Sequence, residues 1–295
     1  MAFRSTGLIG ALVLCATILA HAQATATDGP ESSRLIPPAT TLTEQFTESY
    51  CQSLLHLDGP RGNAFRNACV FSLSLVRQMP NFMCDMEVEK YEDVNQFYKS
   101  THYMQRIHAR ARYLNGKDSY DDLSINGRPS DKIELVEGTW SFGEFGAKLL
   151  AAFSPKNHPN VSFSKETKVN GTPAYEFRFN VEQRRNRFWR WLWGKTSALP
   201  GYEGKIWVAR RDGTILRLEL NSNGGVPDDF PIQGVESKTD YSYVDFKDRS
   251  GFVLPSKVQI RTHMLDQRLY RTQILYSKCH RFKVDTQIVP APGSE

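Results

Sequence analysis

The stretch from Tyr202 to Phe282 constrains this chain most, because it reads as a run of antiparallel strands joined by turns. Lys205 to Arg210 puts Ile206 and Val208 on one face. Asp212-Gly213 marks a tight turn, since both residue types tolerate positive φ. Thr214 to Leu220 then returns, with Leu216, Leu218 and Leu220 on one face and Ile215, Arg217 and Glu219 on the other. Lys238 to Phe246, Phe252 to Met264 and Leu269 to Phe282 continue the series. Val258, Ile260, Thr262 and Met264 alternate there with Lys257, Gln259, Arg261 and His263. A sheet with one apolar face needs a cover.

The segments upstream supply more strands and candidate covers. Leu42, Phe46, Tyr50 and Leu54 recur every four residues and share a helical face. Asp58-Gly59-Pro60 ends that helix, and Asn63 is the expected N-cap of a second, carrying Phe65, Cys69, Leu73 and Val76 and stopped by Pro80. Phe82, Cys84, Met86 and Val88 alternate with acidic residues, and Tyr103, Ile107, Ala109, Ala111 and Tyr113 alternate with basic ones, so cross-strand ion pairs are expected. Asn115-Gly116, Asn126-Gly127 and Asn170-Gly171 are hairpin turns, and Glu144 to Phe153 is a short helix ended by Pro155. Tyr175, Phe177, Phe179 and Val181 face one way, with Glu176, Arg178 and Asn180 opposite. The expected fold is α+β: one large curved antiparallel sheet, a half-barrel of about nine or ten strands, covered by an N-terminal helical hairpin and a short helix.

The N-terminus sets the compartment. Arg4 precedes a 13-residue apolar run, Leu8 to Ala20, followed by small-x-small cleavage sites at Ala20-His21-Ala22 and Ala22-Gln23-Ala24. This is the pattern of a secretory signal peptide, and the run falls short of the ~20 residues a spanning helix needs. Leu14 stands before Cys15 where a lipobox needs a small residue. Residues 1–24 are read as signal peptide, 25–40 as a flexible leader, 41–283 as one domain and 284–295 as a tail. The mature protein is expected to be exported, periplasmic or extracellular, and not membrane-spanning.

Four cysteines remain after cleavage: Cys51, Cys69, Cys84 and Cys279. Three pairings are possible. Cys51–Cys69 across neighbouring helices and Cys84–Cys279 joining the first strand to the last are favoured, and free thiols packed as small apolar groups are the alternative. The net charge of +5 is spread over both signs, which argues against a nucleic-acid surface.

No reaction is legible. G-x-S-x-G, H-E-x-x-H and EF-hand patterns are absent, and Trp189 stands where a P-loop ending at Gly194-Lys195-Thr196 would need its first glycine. Asp228 and Asp229 are adjacent carboxylates in a Gly- and Pro-bearing loop, which suits a solvated turn. The histidine pairs His102/His108 and His263/His280 lack a third ligand at metal spacing. No cofactor or metal is therefore expected. Asn160-Val161-Ser162 and Asn170-Gly171-Thr172 match the glycosylation sequon, which matters only in a eukaryotic host.

The most unusual segment is Arg184 to Lys195, where basic residues interleave with Phe188, Trp189, Trp191 and Trp193. Rings and guanidinium groups together suit a membrane interface, so Phe188, Trp189, Trp191, Trp193, Arg187 and Arg190 are candidate membrane contacts. The competing reading is a hairpin arm whose rings cap the core and whose arginines are solvated.

Met79-Pro80-Asn81-Phe82-Met83-Cys84, Gly143-Glu144-Phe145-Gly146 and Tyr202-Glu203-Gly204-Lys205-Ile206-Trp207-Val208 resemble motifs of an exported protein family common in acidobacteria. Asp228-Asp229-Phe230-Pro231, Asp240-Tyr241-Ser242-Tyr243-Val244 and Phe252-Val253-Leu254-Pro255 are similar to its later segments, so the likeness covers roughly residues 65 to 283. That family has no assigned reaction. Its aspartate after the Ile-Trp-Ile motif is Ala209 here, so no role is carried onto that position. The layout also resembles the outer-membrane lipoprotein-sorting proteins LolA and LolB and the stress sensor RseB. Their architecture is a half-barrel closed by helices over a lipid-accepting cavity. The resemblance implies a non-enzymatic envelope protein that binds a lipid, an acyl chain or a lipidated partner. Tyr175, Phe177, Phe179, Ile206 and Val208 would then line the cavity wall. A structural or protein-interaction module with a filled core is the alternative, and an unrecognised hydrolase the third reading.

Overall fold

The computed structural model describes residues 39–93, 101–114, 117–132, 136, 139–141, 143–193, 195–246 and 249–282. The signal peptide, the leader up to residue 38, the Asn115-Gly116 turn, the tail from residue 284 and the side chains of Leu42 and Val76 lie outside the described residues.

Two helices open the described chain, α1 (Ala39–Leu54) and α2 (Gly59–Gln78). α2 starts four residues earlier than Asn63, with Asp58 as N-cap and Pro60 in its first turn. Pro60 opens this helix rather than closing the one before. Its fixed φ suits the first turn, where a missing N–H costs nothing. On α1, Tyr50 and Leu54 pack on the core, but Phe46 is 60% exposed, so the expected stripe breaks at Phe46. Cys51–Cys69 clamps the two helices, as the pairing argument favoured.

The strands are β1 (Phe82–Asp93), β2 (Thr101–Leu114), β3 (Lys117–Ile125), β4 (Arg128–Pro129), β5 (Asn160–Val169), β6 (Thr172–Val181), β7 (Trp191–Trp193), β8 (Thr196–Ala198), β9 (Tyr202–Ala209), β10 (Ile215–Ser222), β11 (Ile232–Phe246), β12 (Arg249–Met264) and β13 (Leu269–Arg281). Eleven form one open antiparallel sheet in the order β4-β3-β2-β1-β13-β12-β11-β10-β9-β6-β5. β7 and β8 make a separate two-stranded arm between β6 and β9. The expected curved, helix-covered antiparallel sheet is present, with more strands than expected because β4, β7 and β8 are too short to show periodicity. The Asn126-Gly127 and Asn170-Gly171 hairpins form as read, with φ of 51° and 78°, and of 49° and 84°.

Cys84–Cys279 ties β1 to β13, closing a sequence separation of 195 residues. Outer-face charges pair across strands: Arg106 meets Glu89 at 2.7 Å, and Lys278 meets Asp85 at 3.1 Å. Arg110 and Arg112 pair with Asp122 and Asp121 on β3 instead of with β1.

The alternation expected along β10 breaks. A register shift between Ile215 and Arg217 turns Ile215 into the main core beside Leu218 and Leu220, and sends Leu216 to a small cluster around Trp207. A one-residue bulge moves every side chain beyond it to the other face.

The third helix, α3 (Ala147–Phe153), lies between β4 and β5, which are the opposite edge strands of the sheet. The chain therefore has to traverse the sheet between them. This crossing segment and the β7–β8 arm are the two elements that build the site.

Candidate functional site

The residues expected to line a cavity instead fill a core. Tyr175, Phe177 and Phe179 on β6 and Ile206 and Val208 on β9 are buried beneath α2 and α3. The Phe65 ring of α2 lies 4.9 Å from that of Phe177 and 5.8 Å from that of Phe153. The β9–β10 turn docks under the same helix. Gly213 sits at φ +81° with its α-carbon so close to α2 that an added Cβ would approach the Ala64 carbonyl oxygen to 2.8 Å. None of the five lines the apolar cavity of this protein.

That cavity, about 500 Å³, lies over β11, β12 and β13. Its floor is Ile232, Val235, Ile260, Thr262 and Thr272. One wall is the crossing segment, with Thr139, Trp140, Ser141, Gly143, Ala147, Lys148 and Ala151, and the other is the arm from Phe188 to Trp193. Four of the five tryptophans of the chain, Trp140, Trp189, Trp191 and Trp193, therefore face one space. The sequence segment singled out for its composition is at the site, as a wall rather than as a free surface. Phe188 and Trp189 pack against the core and Trp191 is buried, while Leu192 and Trp193 are 63% and 40% exposed. Leu192, Trp193 and the exposed Arg190 line the space and also meet solvent, so they mark its mouth.

Buried amides fix the root of the arm. Asn186 donates from Nδ2 to the carbonyls of Trp189 (2.6 Å) and Pro200 (2.9 Å), and its Oδ1 accepts from the N–H groups of Phe188 (3.1 Å) and Trp189 (2.9 Å). Asn157 Nδ2 donates to the Ala151 carbonyl (3.0 Å) and to the Tyr202 hydroxyl (2.8 Å), while its Oδ1 accepts from the Arg187 N–H (2.9 Å). Tyr202 in turn donates to the Ala151 carbonyl at 2.9 Å, and its ring stands edge-on to Trp189 at 5.3 Å. Both amides are fully buried, with every oxygen and nitrogen used. A satisfied polar hub of this kind fixes one arrangement. Here it sets the height of the arm above the sheet.

The opposite wall is pinned by buried charge. Lys90 on β1 donates to the Thr139 carbonyl at 2.5 Å and lies 5.8 Å from the Trp140 ring centre. Thr139 and Thr262 share a hydroxyl–hydroxyl bond of 3.2 Å. Lys148 pairs with Glu144 one turn earlier at 2.5 Å and donates to Ser237 at 2.6 Å; Glu144 also accepts from Ser141. Asp118 on β3 accepts the Gly143 N–H at 2.9 Å, and burial, with Glu144 nearby, pushes its carboxyl up to about 6. Burial, then Glu144, also pushes the phenols of Tyr241 and Tyr276 up.

Other candidates from the sequence do not converge. Asp228 and Asp229 are exposed in the loop before β11. His263 meets Glu236 at 3.0 Å, whereas His280 bonds the Lys278 carbonyl. Among the described residues no group of three His, Cys, Asp or Glu could hold a metal, and no helix is long and apolar enough to cross a membrane. The Thr196 hydroxyl donates to the Trp193 carbonyl at 2.8 Å, so Thr196 belongs to the arm rather than to a phosphate loop.

No protein-family model and no curated protein sequence matches this chain. Solved structures similar in outline include a lipoprotein-sorting domain from Vibrio parahaemolyticus, with 10% identity, a TM-score of 0.39, and 83% of this chain and 95% of that one covered. A DUF1329 family protein from Desulfovibrio piger gives 8% identity and 0.38 over 75% of this chain and 93% of that one. A LolA superfamily protein from Nitrosomonas europaea gives 8% and 0.31 over 72% and 94%. The lipoprotein-sorting and LolA superfamily structures among them are of the kind the layout resemblance named.

Proposed function

We propose that this chain is an exported cell-envelope binding protein that carries out no reaction on its cargo. It holds an acyl chain, free or as part of a lipidated partner, in the space beneath the tryptophan arm. The observation that carries this reading is the cavity: about 500 Å³, mostly apolar, with four indole rings in its walls and the exposed Arg190, Leu192 and Trp193 at its mouth. Its volume lies within the ~300–1,000 Å³ range of small-molecule sites. Acyl chains demand no directional bonds, which suits a lining of rings and methyl groups.

Two features support the setting. Both disulfides fit an oxidising compartment. The exposed tip pairs Leu192 and Trp193 with Arg190 and Lys195, and Arg187 is exposed at the root. Such a tip suits the headgroup layer of an anionic bilayer, so membrane contact is assigned to Leu192 and Trp193 rather than to Trp189 and Trp191.

Native mass spectrometry of protein exported into a bacterial periplasm tests this. A co-purifying mass released by lipid extraction as an acyl-chain species is expected. A clean apo mass, with no uptake of added fatty acids or phospholipids, would rule the reading out in favour of an interaction module.

A further inference from the structure

We infer that the cargo is an anionic amphiphile, whose charged head seats on Arg190 at the cavity mouth while its chain runs inward past Trp189 and Trp191. This rests on the acyl-chain reading above and adds the chemistry of the head group. Among the described residues, the charged ones lining the cavity are Lys148 and Arg190, both cations, with no carboxylate. Lys148 is already neutralised by Glu144 at 2.5 Å. The other arginines of the segment are also engaged. Arg184 and Arg185 pair with Glu182 at 2.5 and 3.9 Å, and Arg187 donates to the carbonyls of Arg184 and Asn186 at 2.9 and 3.0 Å. Arg190 has neither a carboxylate nor a carbonyl partner among the described residues, so its charge is the uncompensated one facing the cavity.

Geometry points the same way. Arg190 is exposed, between the buried Trp191 and the half-buried Trp189, so its guanidinium can reach a head group at the mouth without being desolvated first. A guanidinium offers paired N–H donors that match a carboxylate or a phosphate, which a neutral or purely cationic head cannot use. The buried indole N–H of Trp191 has no acceptor among the described residues either. An ester or carboxylate oxygen entering beside Arg190 would supply one. Fatty acids and acidic phospholipids share this head chemistry, and the test separates them.

The experiment is a tryptophan-fluorescence titration of the full mature chain, at pH 8 and low salt. The probes are palmitate, 1-palmitoyl-lysophosphatidylglycerol, 1-palmitoyl-lysophosphatidylcholine and hexadecanol, each against wild type, Arg190→Gln and Arg190→Lys. At least one anionic probe should bind roughly tenfold more tightly than hexadecanol, with zwitterionic lysophosphatidylcholine, whose phosphate is partly offset by its own ammonium, in between, as expected for a charge-assisted contact. That advantage should collapse in Arg190→Gln and return in part in Arg190→Lys, while hexadecanol binding stays unchanged. Preference for palmitate alone identifies a fatty acid; preference for the lysophosphatidylglycerol alone identifies a phospholipid. Equal binding of charged and uncharged probes, or an anionic preference that survives Arg190→Gln, overturns the inference and leaves the acyl-chain reading standing. If none of the four binds wild type, the acyl-chain reading fails and this inference fails with it. Arg190 is exposed, so unchanged melting of both variants is the expected folding control.

Discussion

The two halves of the inner sheet face obey the same alternation and end differently. Under α2, β6 and β9 point Tyr175, Phe177, Phe179, Val181, Ile206 and Val208 inward, and the helix seats on them with no room left. At the centre of the sheet, β12 and β13 point Thr262 and Thr272 inward. The elements above them, the arm and the crossing segment, are held at a fixed height by Asn157, Asn186 and Lys90. Short side chains below and pinned covers above leave a gap. Alternation decides which face is buried; side-chain volume decides whether the buried face is full.

The contrast is sharpest in large-to-small substitutions. Phe177→Ala in the filled half should cost about 3–5 kcal/mol, because a packed aromatic leaves a cavity the helix cannot close. Trp193→Ala at the mouth should cost a small fraction of that. Chemical denaturation of both variants reads the difference, and equal losses would erase the distinction between the halves.

Next come the disulfides. Each should contribute ~2–4 kcal/mol, and Cys84–Cys279 closes the longer loop, 195 residues against 18. A Cys84→Ala/Cys279→Ala variant should therefore lose more stability than a Cys51→Ala/Cys69→Ala variant on the chain-entropy argument. The reverse order would show that the helical clamp matters more to the filled half than loop length does.

Small-to-large changes invert the pattern. Val208→Phe should cost ~1–3 kcal/mol by overpacking. Thr272→Leu, directed into the cavity, should leave the melting temperature within a few degrees while weakening acyl-chain binding. Comparable losses for both would mean the space over β13 closes in solution.

The smallest effect is a pH dependence at the wall. Asp118 is raised to about 6 by burial, above the ~4 of an unfolded aspartate. The folded state then holds the proton more tightly, so stability falls as pH rises from ~4 to about 6 and is level above that. Asp118→Asn keeps an acceptor for the Gly143 N–H but cannot ionise, so its stability should lack this decline. Parallel curves from pH 4 to 8 in urea titrations of the two proteins would remove Asp118 as the cause.

The fold was legible wherever local chemistry is decisive. The Asn126-Gly127 and Asn170-Gly171 turns, the inward run Phe82, Cys84, Met86 and Val88, and both favoured cysteine pairs lie where the sequence puts them. Misreadings came where one residue type serves two roles. Pro60 was read as a stop and is a start, and Leu216 was placed inward across a bulge that no composition signal marks. The site was half legible. The tryptophan arm stood out, but its neighbour across the cavity, Thr139 to Ser141, did not, because no periodicity marks a segment that crosses a sheet. The wall was assigned to the largest inward aromatics, Tyr175, Phe177 and Phe179, which are the residues best able to fill space. The usable signal is the opposite one: hydroxyl-bearing residues at inward positions of otherwise apolar strands, Thr262 and Thr272 on neighbouring strands.

The most direct test of a hollow, cargo-binding half is a titration with a fluorescent dansyl-labelled fatty acid, comparing wild type with a Thr272→Trp variant that fills the cavity floor. Wild type should show a blue-shifted dansyl emission with energy transfer from the surrounding tryptophans, and the filled variant should bind at least tenfold more weakly while melting within a few degrees of wild type. Equal binding by the two proteins, or no binding by wild type, would contradict the account.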